Sequence, residues 1–264
     1  MVNYKISVTG KGKMKIMNEQ KKYDDSHSLL IIMPSYNEAD NLTAAVLDLR
    51  ENLSDVDILV VDDGSTDRTK EVALDLGCRL LKLPFNIGIG GAVQTGYKYA
   101  YEKGYAFAVQ FDGDGQHSAK SLPKMISVAK SGSWDLVIGS RYLEDNEYFT
   151  PLARRMGMVI FSRIVSMVVH QKITDSTSGF RVLSRRAIEF CANNYPADYP
   201  EVEVIPQLYF AGLTITEVPA GMKKRQRGKS SITWSKAIYY MVKVVLAISI
   251  SLLREKPDKG REVA

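Results

Sequence analysis

The 264-residue sequence has only two cysteines, Cys78 and Cys191, and they form neither a metal-ligand spacing nor a disulfide framework. That scarcity predicts a reducing, cytoplasmic compartment. No apolar core of signal-peptide type opens the chain. Residues 1–28 are polar and dotted with lysine, which argues against secretion. No uninterrupted apolar run reaches the ~20 residues of a spanning helix, so a polytopic membrane protein is excluded. No Ser/His/Asp or Cys/His arrangement marks a protein nucleophile, and His117 and His170 read as isolated structural residues. There is no internal repeat and no long low-complexity stretch. Apolar residues make up 45% and charged residues 25%, which excludes wholesale disorder. The 35 Lys+Arg against 30 Asp+Glu leave only +5, so the placement of charge matters more than its total.

Residues 1–28 show no sustained period and read as a flexible or loosely packed arm. From Leu29 the pattern changes. Leu29-Leu-Ile-Ile-Met33 is a short apolar run stopped by Pro34, as in a buried strand. Leu42, Val46 and Leu49 then recur at helical spacing. Further apolar runs at 58–61, 79–83, 106–111 and 135–138 read as strands. Helical segments follow or separate them: one from Asp67 onward, capped by Ser65 or Asp67, then 90–103 and 121–130. Five alternations of strand and helix are the mark of an open, mostly parallel α/β sheet. Later, 174–181 reads as a polar turn, 186–193 as a helix and 213–218 as a strand.

Ligands of such sheets bind beyond the carboxyl ends of the strands. Here those ends read Pro34-Ser-Tyr-Asn-Glu38, Asp62-Asp-Gly-Ser65 and Asp112-Gly-Asp114. Two carboxylates two residues apart in a glycine-flanked turn can converge on one hard cation. Oxygen ligation without cysteine favours Mg²⁺ or Mn²⁺ bridged to substrate phosphates. The competing reading, a plain surface turn, loses weight because the motif directly follows a buried strand and runs into Gln116-His117. At Asp62-Asp63 one carboxylate can cap the turn while the other reads a base N–H or a ribose hydroxyl. Asn86-Ile-Gly88-Ile-Gly90-Gly91 opens a helix that suits a phosphate. It is not a dinucleotide fingerprint, since Val93 stands where the third glycine belongs. Gly228-Lys229-Ser230 is not a P-loop, since Lys223 stands where the first glycine belongs.

Between Met222 and Lys243 seven cations occur with no acid: Lys223, Lys224, Arg225, Arg227, Lys229, Lys236 and Lys243. A solvated face, a phosphate clamp, an anionic membrane and nucleic acid all fit such a run. The apolar stretch that follows it, residues 237–253, favours the membrane over nucleic acid. At 17 residues with Lys243 inside, it is too short and too charged to span, but can lie in the interface or pack as a buried helix.

Taken in order, these motifs and Gly139-Ser-Arg141 resemble family 2 glycosyltransferases of the GT-A fold. Asp175-Ser-Thr-Ser-Gly-Phe-Arg181, Glu217-Val-Pro219 and Arg225-x-x-Gly228-x-Ser230 resemble the dolichyl-phosphate mannose synthase group, which includes bacterial polyprenyl-phosphate transferases. The resemblance spans roughly residues 29–231. It implies three regions: an arm (1–28), a GT-A domain (29–231) and an interfacial helix with a polar tail (232–264).

The resemblance also implies roles. Asp112 and Asp114 would hold Mg²⁺ or Mn²⁺ against a nucleotide diphosphate, with Gln116 completing the shell. Pro34, Tyr36, Glu38, Asp62 and Asp63 would surround the nucleoside. Arg141 and Arg225 would face phosphates of donor or acceptor, and Asn86, Arg181 and Ser230 would complete the ligand-binding set. Asp175 would lie nearest the transfer chemistry, so that Asp114, Asp175 and Arg141 form the catalytic group. The implied reaction is inverting transfer of a hexose from a GDP- or UDP-sugar to a polyprenyl phosphate at the cytoplasmic face of the membrane. A lipid phosphate is already an anionic nucleophile, which agrees with the lack of an obvious histidine base. A C-terminal domain of two or more clear spans, found in part of the group, is not expected here. A small membrane partner is compatible, though the sequence shows none. Two other functions remain open: transfer to a hydroxyl acceptor, which would make Asp175 or a nearby acid an essential base, and non-catalytic binding of nucleotide sugars at a membrane.

Overall fold

The computed structural model describes residues 6–8, 14–16, 28–54, 56–113, 115–143, 152–197 and 200–221. Asp114, Arg225, Ser230 and the apolar stretch 237–253 lie outside the described residues. Within the segment read as an arm, β1 (Ile6–Val8) and β2 (Met14–Ile16) pair as an antiparallel ladder.

The main body alternates β3 (Leu29–Ser35), α1 (Ala39–Asn52), β4 (Asp57–Asp62), α2 (Thr69–Asp75), β5 (Arg79–Lys82), α3 (Ile89–Glu102), β6 (Phe107–Gln110), α4 (Leu122–Lys130) and β7 (Leu136–Ser140). Then come α5 (Leu152–Val168), β8 (Arg181–Ser184), α6 (Arg185–Asn193), α7 (Pro200–Phe210) and β9 (Ile215–Pro219). Seven strands form one sheet in the order β5-β4-β3-β6-β8-β7-β9. All pairings are parallel except those of β8, which runs against both β6 and β7. The expected open, mostly parallel α/β sheet is present.

Every residue of β3 is buried, because helices cover both faces and leave no solvent side to alternate against. Successive residues feed two cores. Leu30 and Ile32 meet Val93 and Tyr97 of α3 and Ile188 of α6 on one face. Ile31 and Met33 meet Leu42, Val46 and Leu49 of α1 and Met125 of α4 on the other. Pro34 does not stop β3, contrary to the sequence reading. It pairs with Val61 on the β4 side, whereas the β6 ladder ends at Ile32, so its missing N–H lies beyond that ladder. The polar turn read at 174–181 ends one residue early, because Arg181 opens β8.

The turn after β4 is closed by Gly64, whose φ of +72° L side chains rarely adopt. A Cβ there would sit 2.7 Å from the Phe85 carbonyl carbon and 2.8 Å from the Asn86 nitrogen, so the turn and the 84–88 loop touch backbone to backbone. Gly64→Ala should cost about 1–2 kcal/mol from the left-handed backbone alone. A melting curve should show the midpoint falling by roughly 2–8 °C. An unchanged midpoint would mean that the two loops are not in register as described.

Candidate active site

The carboxyl ends of neighbouring strands β4, β3 and β6 open onto a cleft of about 380 Å³. Its walls include Pro34, Tyr36, Glu38, Asp63, Asn86, Gly88 and Asp112. Six of the residues singled out in the sequence therefore meet in one place: Pro34, Tyr36, Glu38, Asp63, Asn86 and Asp112.

Local hydrogen bonding explains how these loops hold their shape. Asn37 adopts a left-handed φ of 55°. Its Oδ1 accepts from the Thr66 N–H at 2.9 Å, while its own N–H donates to Ser65 Oγ at 3.0 Å. Glu38 N–H donates to Thr69 Oγ1 at 3.0 Å. The loops after β3 and β4 thus interlock. The two aspartates at the end of β4 have different tasks. Asp62 is fully buried, caps its own turn by accepting from Ser65 N–H at 2.9 Å, and is not a wall of the cleft. Asp63 accepts from the Ile87 N–H at 2.8 Å and the Gly88 N–H at 2.9 Å, and so shapes the loop that carries Asn86. Burial pushes the Asp63 carboxyl above its ordinary range, against the pull of these two amides.

Across the cleft, Asp112 Oδ2 lies 3.1 Å from His117 Nε2. His117 is buried and stacks on Phe180 at 4.8 Å. The histidine that the sequence marked as merely structural therefore steadies a site carboxylate. Burial works against ionisation of Asp112, but the His117 hydrogen bond, together with its polar and charged surroundings that include Arg141, outweighs it and leaves the carboxyl lowered. Asp112 Oδ1 is buried with no partner among the described residues. Gly113 packs closely on β3, since a Cβ there would meet Ser35 Oγ at 2.7 Å and displace that hydroxyl. Gln116 lies one residue before His117 and is half-buried. An orphaned carboxylate oxygen on a tight glycine turn fits a hard cation.

The far side of the site is built from charge pairing. Arg141, at the end of β7, donates from Nε to Asp175 Oδ2 and from Nη2 to Asp175 Oδ1, both at 2.6 Å. Its backbone N–H reaches the same Oδ2 at 3.1 Å, and Nη2 also reaches Thr177 Oγ1 at 2.7 Å. Asp175 is 1% exposed. Glu217, which the sequence marked only as part of a motif, accepts from Thr174 and Asp175. Nothing local signals this, because the contact joins residues 42 positions apart. Arg181 is 1% exposed and lends Nε to the Ser178 carbonyl and Nη2 to the Glu201 carbonyl. These two bonds tie it to the loop ahead of β8 and to α7.

Solved structures of glucosyl-3-phosphoglycerate synthase from Mycobacterium tuberculosis share this fold. One, a complex with Mn²⁺, UDP and glucosyl-3-phosphoglycerate, superposes with a TM-score of 0.65 at 16% identity, covering 89% of this chain and 82% of that one. The Glycosyl transferase family 2 model matches residues 30–191, more than half of the sequence. The chain belongs to that family and is a glycosyltransferase. It is 30% identical to an undecaprenyl-phosphate mannosyltransferase of Micrococcus luteus, over 78% of this chain and 87% of the relative. It is 33% identical to a UDP-N-acetylglucosamine–dolichyl-phosphate N-acetylglucosaminyltransferase of Methanococcus voltae, over 61% of this chain and 71% of the relative.

Asp63→Asn replaces one acceptor oxygen with an NH₂ that faces a backbone N–H. Leaving such a donor unmet costs about 1–3 kcal/mol. In hydrogen exchange, the Ile87 and Gly88 amides should lose protection while those of β3 and β4 keep it. Equal protection in both proteins would remove Asp63 from its shaping role.

Proposed function

We propose that this glycosyltransferase moves a hexose from a GDP- or UDP-sugar to a polyprenyl phosphate, with inversion at the anomeric carbon. The observation that carries the reading is the state of Asp175. Both of its oxygens are taken by Arg141, and it is 1% exposed. A hydroxyl acceptor would need a base there. A phosphate monoester needs none, since its second pKa near ~6 leaves it largely dianionic at neutral pH. Its oxygen can attack the anomeric carbon as the bond to the nucleotide diphosphate breaks, with no proton to remove. The names of the Micrococcus and Methanococcus relatives support a lipid phosphate acceptor and differ in sugar.

In this reading Pro34, Tyr36, Glu38 and Asp63 receive the nucleoside and Asn86 the adjoining phosphate. Asp62 supports them from behind through the Ser65 turn. Asp112, Asp114 and Gln116 would hold Mg²⁺ or Mn²⁺. When bound, that ion would neutralise the departing diphosphate. Arg141 meets phosphate from the other side, with Arg225 and Ser230 of the basic segment as further contacts. Arg suits this task because its planar fork matches phosphate oxygens.

The membrane side of the proposal rests on α5. No described helix is long and apolar enough to cross a membrane. Along α5 runs an apolar groove of about 600 Å³, bounded by Tyr142, Met158, Val159, Ile173 and Thr174, with Arg163 and Lys172 among its walls. Val159, Ile160 and Met167 are exposed. Tyr142 and Thr174 on its wall adjoin Arg141 and Asp175 in the chain, so a phosphate held by Arg141 could lay its isoprene tail along α5. The enzyme would then work as a peripheral protein at the cytoplasmic face, with cations near an anionic surface contributing roughly 1 kcal/mol each.

A panel of GDP-mannose, UDP-glucose and UDP-N-acetylglucosamine with a short polyprenyl phosphate, read by nucleotide release, should give turnover with one donor. Excess chelator should abolish it and Mn²⁺ or Mg²⁺ restore it. Asp112→Asn should lose at least about 100-fold in kcat, the scale of one electrostatic contact to a departing charge. Turnover only with sugar hydroxyls would sink the acceptor assignment.

Met167→Glu should weaken co-sedimentation with anionic vesicles, and full-chain binding should fall as salt rises. The same variant should raise KM for a long-chain polyprenyl phosphate while leaving KM for a ten-carbon one unchanged. Equal effects on both chain lengths would take the tail out of the α5 groove.

A further inference from the structure

We propose that Glu217 is a positioning residue for the transfer reaction, acting through the 173–175 loop on Asp175 and through Asp175 on the guanidinium of Arg141. The inference rests on the phosphate-facing role of Arg141 given above.

Glu217 sits on β9 opposite Ile138 of β7, one strand away from the loop it serves. Its Oε2 accepts from both the Thr174 N–H and the Thr174 hydroxyl, and its Oε1 accepts from the Asp175 N–H, each at 2.8 Å. Since Thr174 Oγ1 gives its proton to Glu217, the 2.7 Å contact between Ser140 Oγ and Thr174 Oγ1 is donated by Ser140. Ser140 Oγ in turn accepts from the Tyr142 N–H at 3.2 Å. Two chains of contacts therefore leave Glu217. One passes through Asp175 to the side chain of Arg141. The other passes through Thr174 to Ser140 and Tyr142, the residues on either side of Arg141. Backbone and guanidinium of one arginine are referred to the same carboxylate.

Acceptor count explains why an acid stands there. Three donors converge, and only a carboxylate meets them without a donor of its own. A glutamine would turn an NH₂ toward at least one N–H or O–H. Burial pushes the Glu217 carboxyl above its ordinary range while the Thr174 and Asp175 donors draw it down. Arg141 already has its counter-charge in Asp175, so Glu217 is not needed for neutrality. What it supplies is the placement of Asp175.

The test is a double-mutant cycle on the full chain with Glu217→Gln, Asp175→Asn and both together. It uses whichever of GDP-mannose, UDP-glucose and UDP-N-acetylglucosamine the wild type turns over, with short polyprenyl phosphate, a sugar hydroxyl or water as acceptor. Glu217→Gln should lower kcat by about tenfold or more, since small misplacements of a reacting group are costly. Donor KM should stay within about twofold, and the double variant should match Asp175→Asn within about twofold, because both changes break one chain. A merely structural role would lower the melting midpoint without this split, and the losses would multiply. Wild-type kcat in Glu217→Gln, or multiplying losses, overturns the proposal. If Glu217→Gln does not fold by circular dichroism, Glu217→Asp, which keeps the charge but shortens the reach, replaces it in the same cycle. If the wild type uses only a hydroxyl or water, the acceptor assignment falls. The cycle on that acceptor still decides the role of Glu217.

Discussion

A guanidinium buried at the end of a strand must be matched, and the match of Arg141 by Asp175 governs the half of the site beyond Asp112. Breaking a buried pair of this kind typically costs about 3–5 kcal/mol, because one charge is stranded in a poor solvent. To reach Arg141, the loop before β8 has to lie at the carboxyl edge of the sheet. A parallel strand would place that loop at the opposite edge, so β8 runs backwards between β6 and β7. The same loop then crosses to the cleft. Phe180 stacks on His117, and Gly179 lies so close that a Cβ would sit 3.0 Å from Gln110 Nε2 and 3.2 Å from Asp112 Oδ2. One ion pair thus brings Arg141 and Asp112 into a common wall.

The two halves are made from different materials. Around the cleft, carboxylate and carboxamide oxygens accept backbone N–H groups: Asp63 from Ile87 and Gly88, Asp62 from Ser65, Asn37 from Thr66. Such contacts are short in sequence or join loops already adjacent in the sheet. Around Arg141, side chains meet side chains from β7, from the loop before β8 and from β9. Buried networks of that sort are stiff when every member is satisfied and fragile when one is lost.

This difference sets what could be read from the sequence. The runs at 29–33 and 58–61 announce strands because burial on both faces removes polar alternation, and the motifs at their ends announce a site. Asp112-Gly-Asp114 is readable for the same reason, although Asp114 itself lies outside the described residues. β8 was not readable: four residues, opened by a buried arginine, carry no period. α7 was hidden by Pro206 within it. The motif points Arg181 to ligand binding, and what its spacing does not encode is its burial and its bonds to the Ser178 and Glu201 carbonyls. The roles of His117 and Glu217 depend on who stands across from them, which spacing along the chain does not encode.

The reversed strand also dictates an order of assembly. β3, β4, β5 and β6 are complete once residue 110 has been made, and they can associate as a four-stranded parallel unit. The free side of β6 then waits for Arg181–Ser184, about 70 residues later. At synthesis rates of ~5–20 residues per second, that is roughly 4–15 s during which an apolar strand, Phe107-Ala-Val-Gln110, presents an open edge. β7, already made, has no place in the sheet until β8 arrives to bridge it. The nascent chain is therefore most exposed to strand-by-strand association between the synthesis of β6 and that of β8, and helper proteins that shield sheet edges would matter most in that interval.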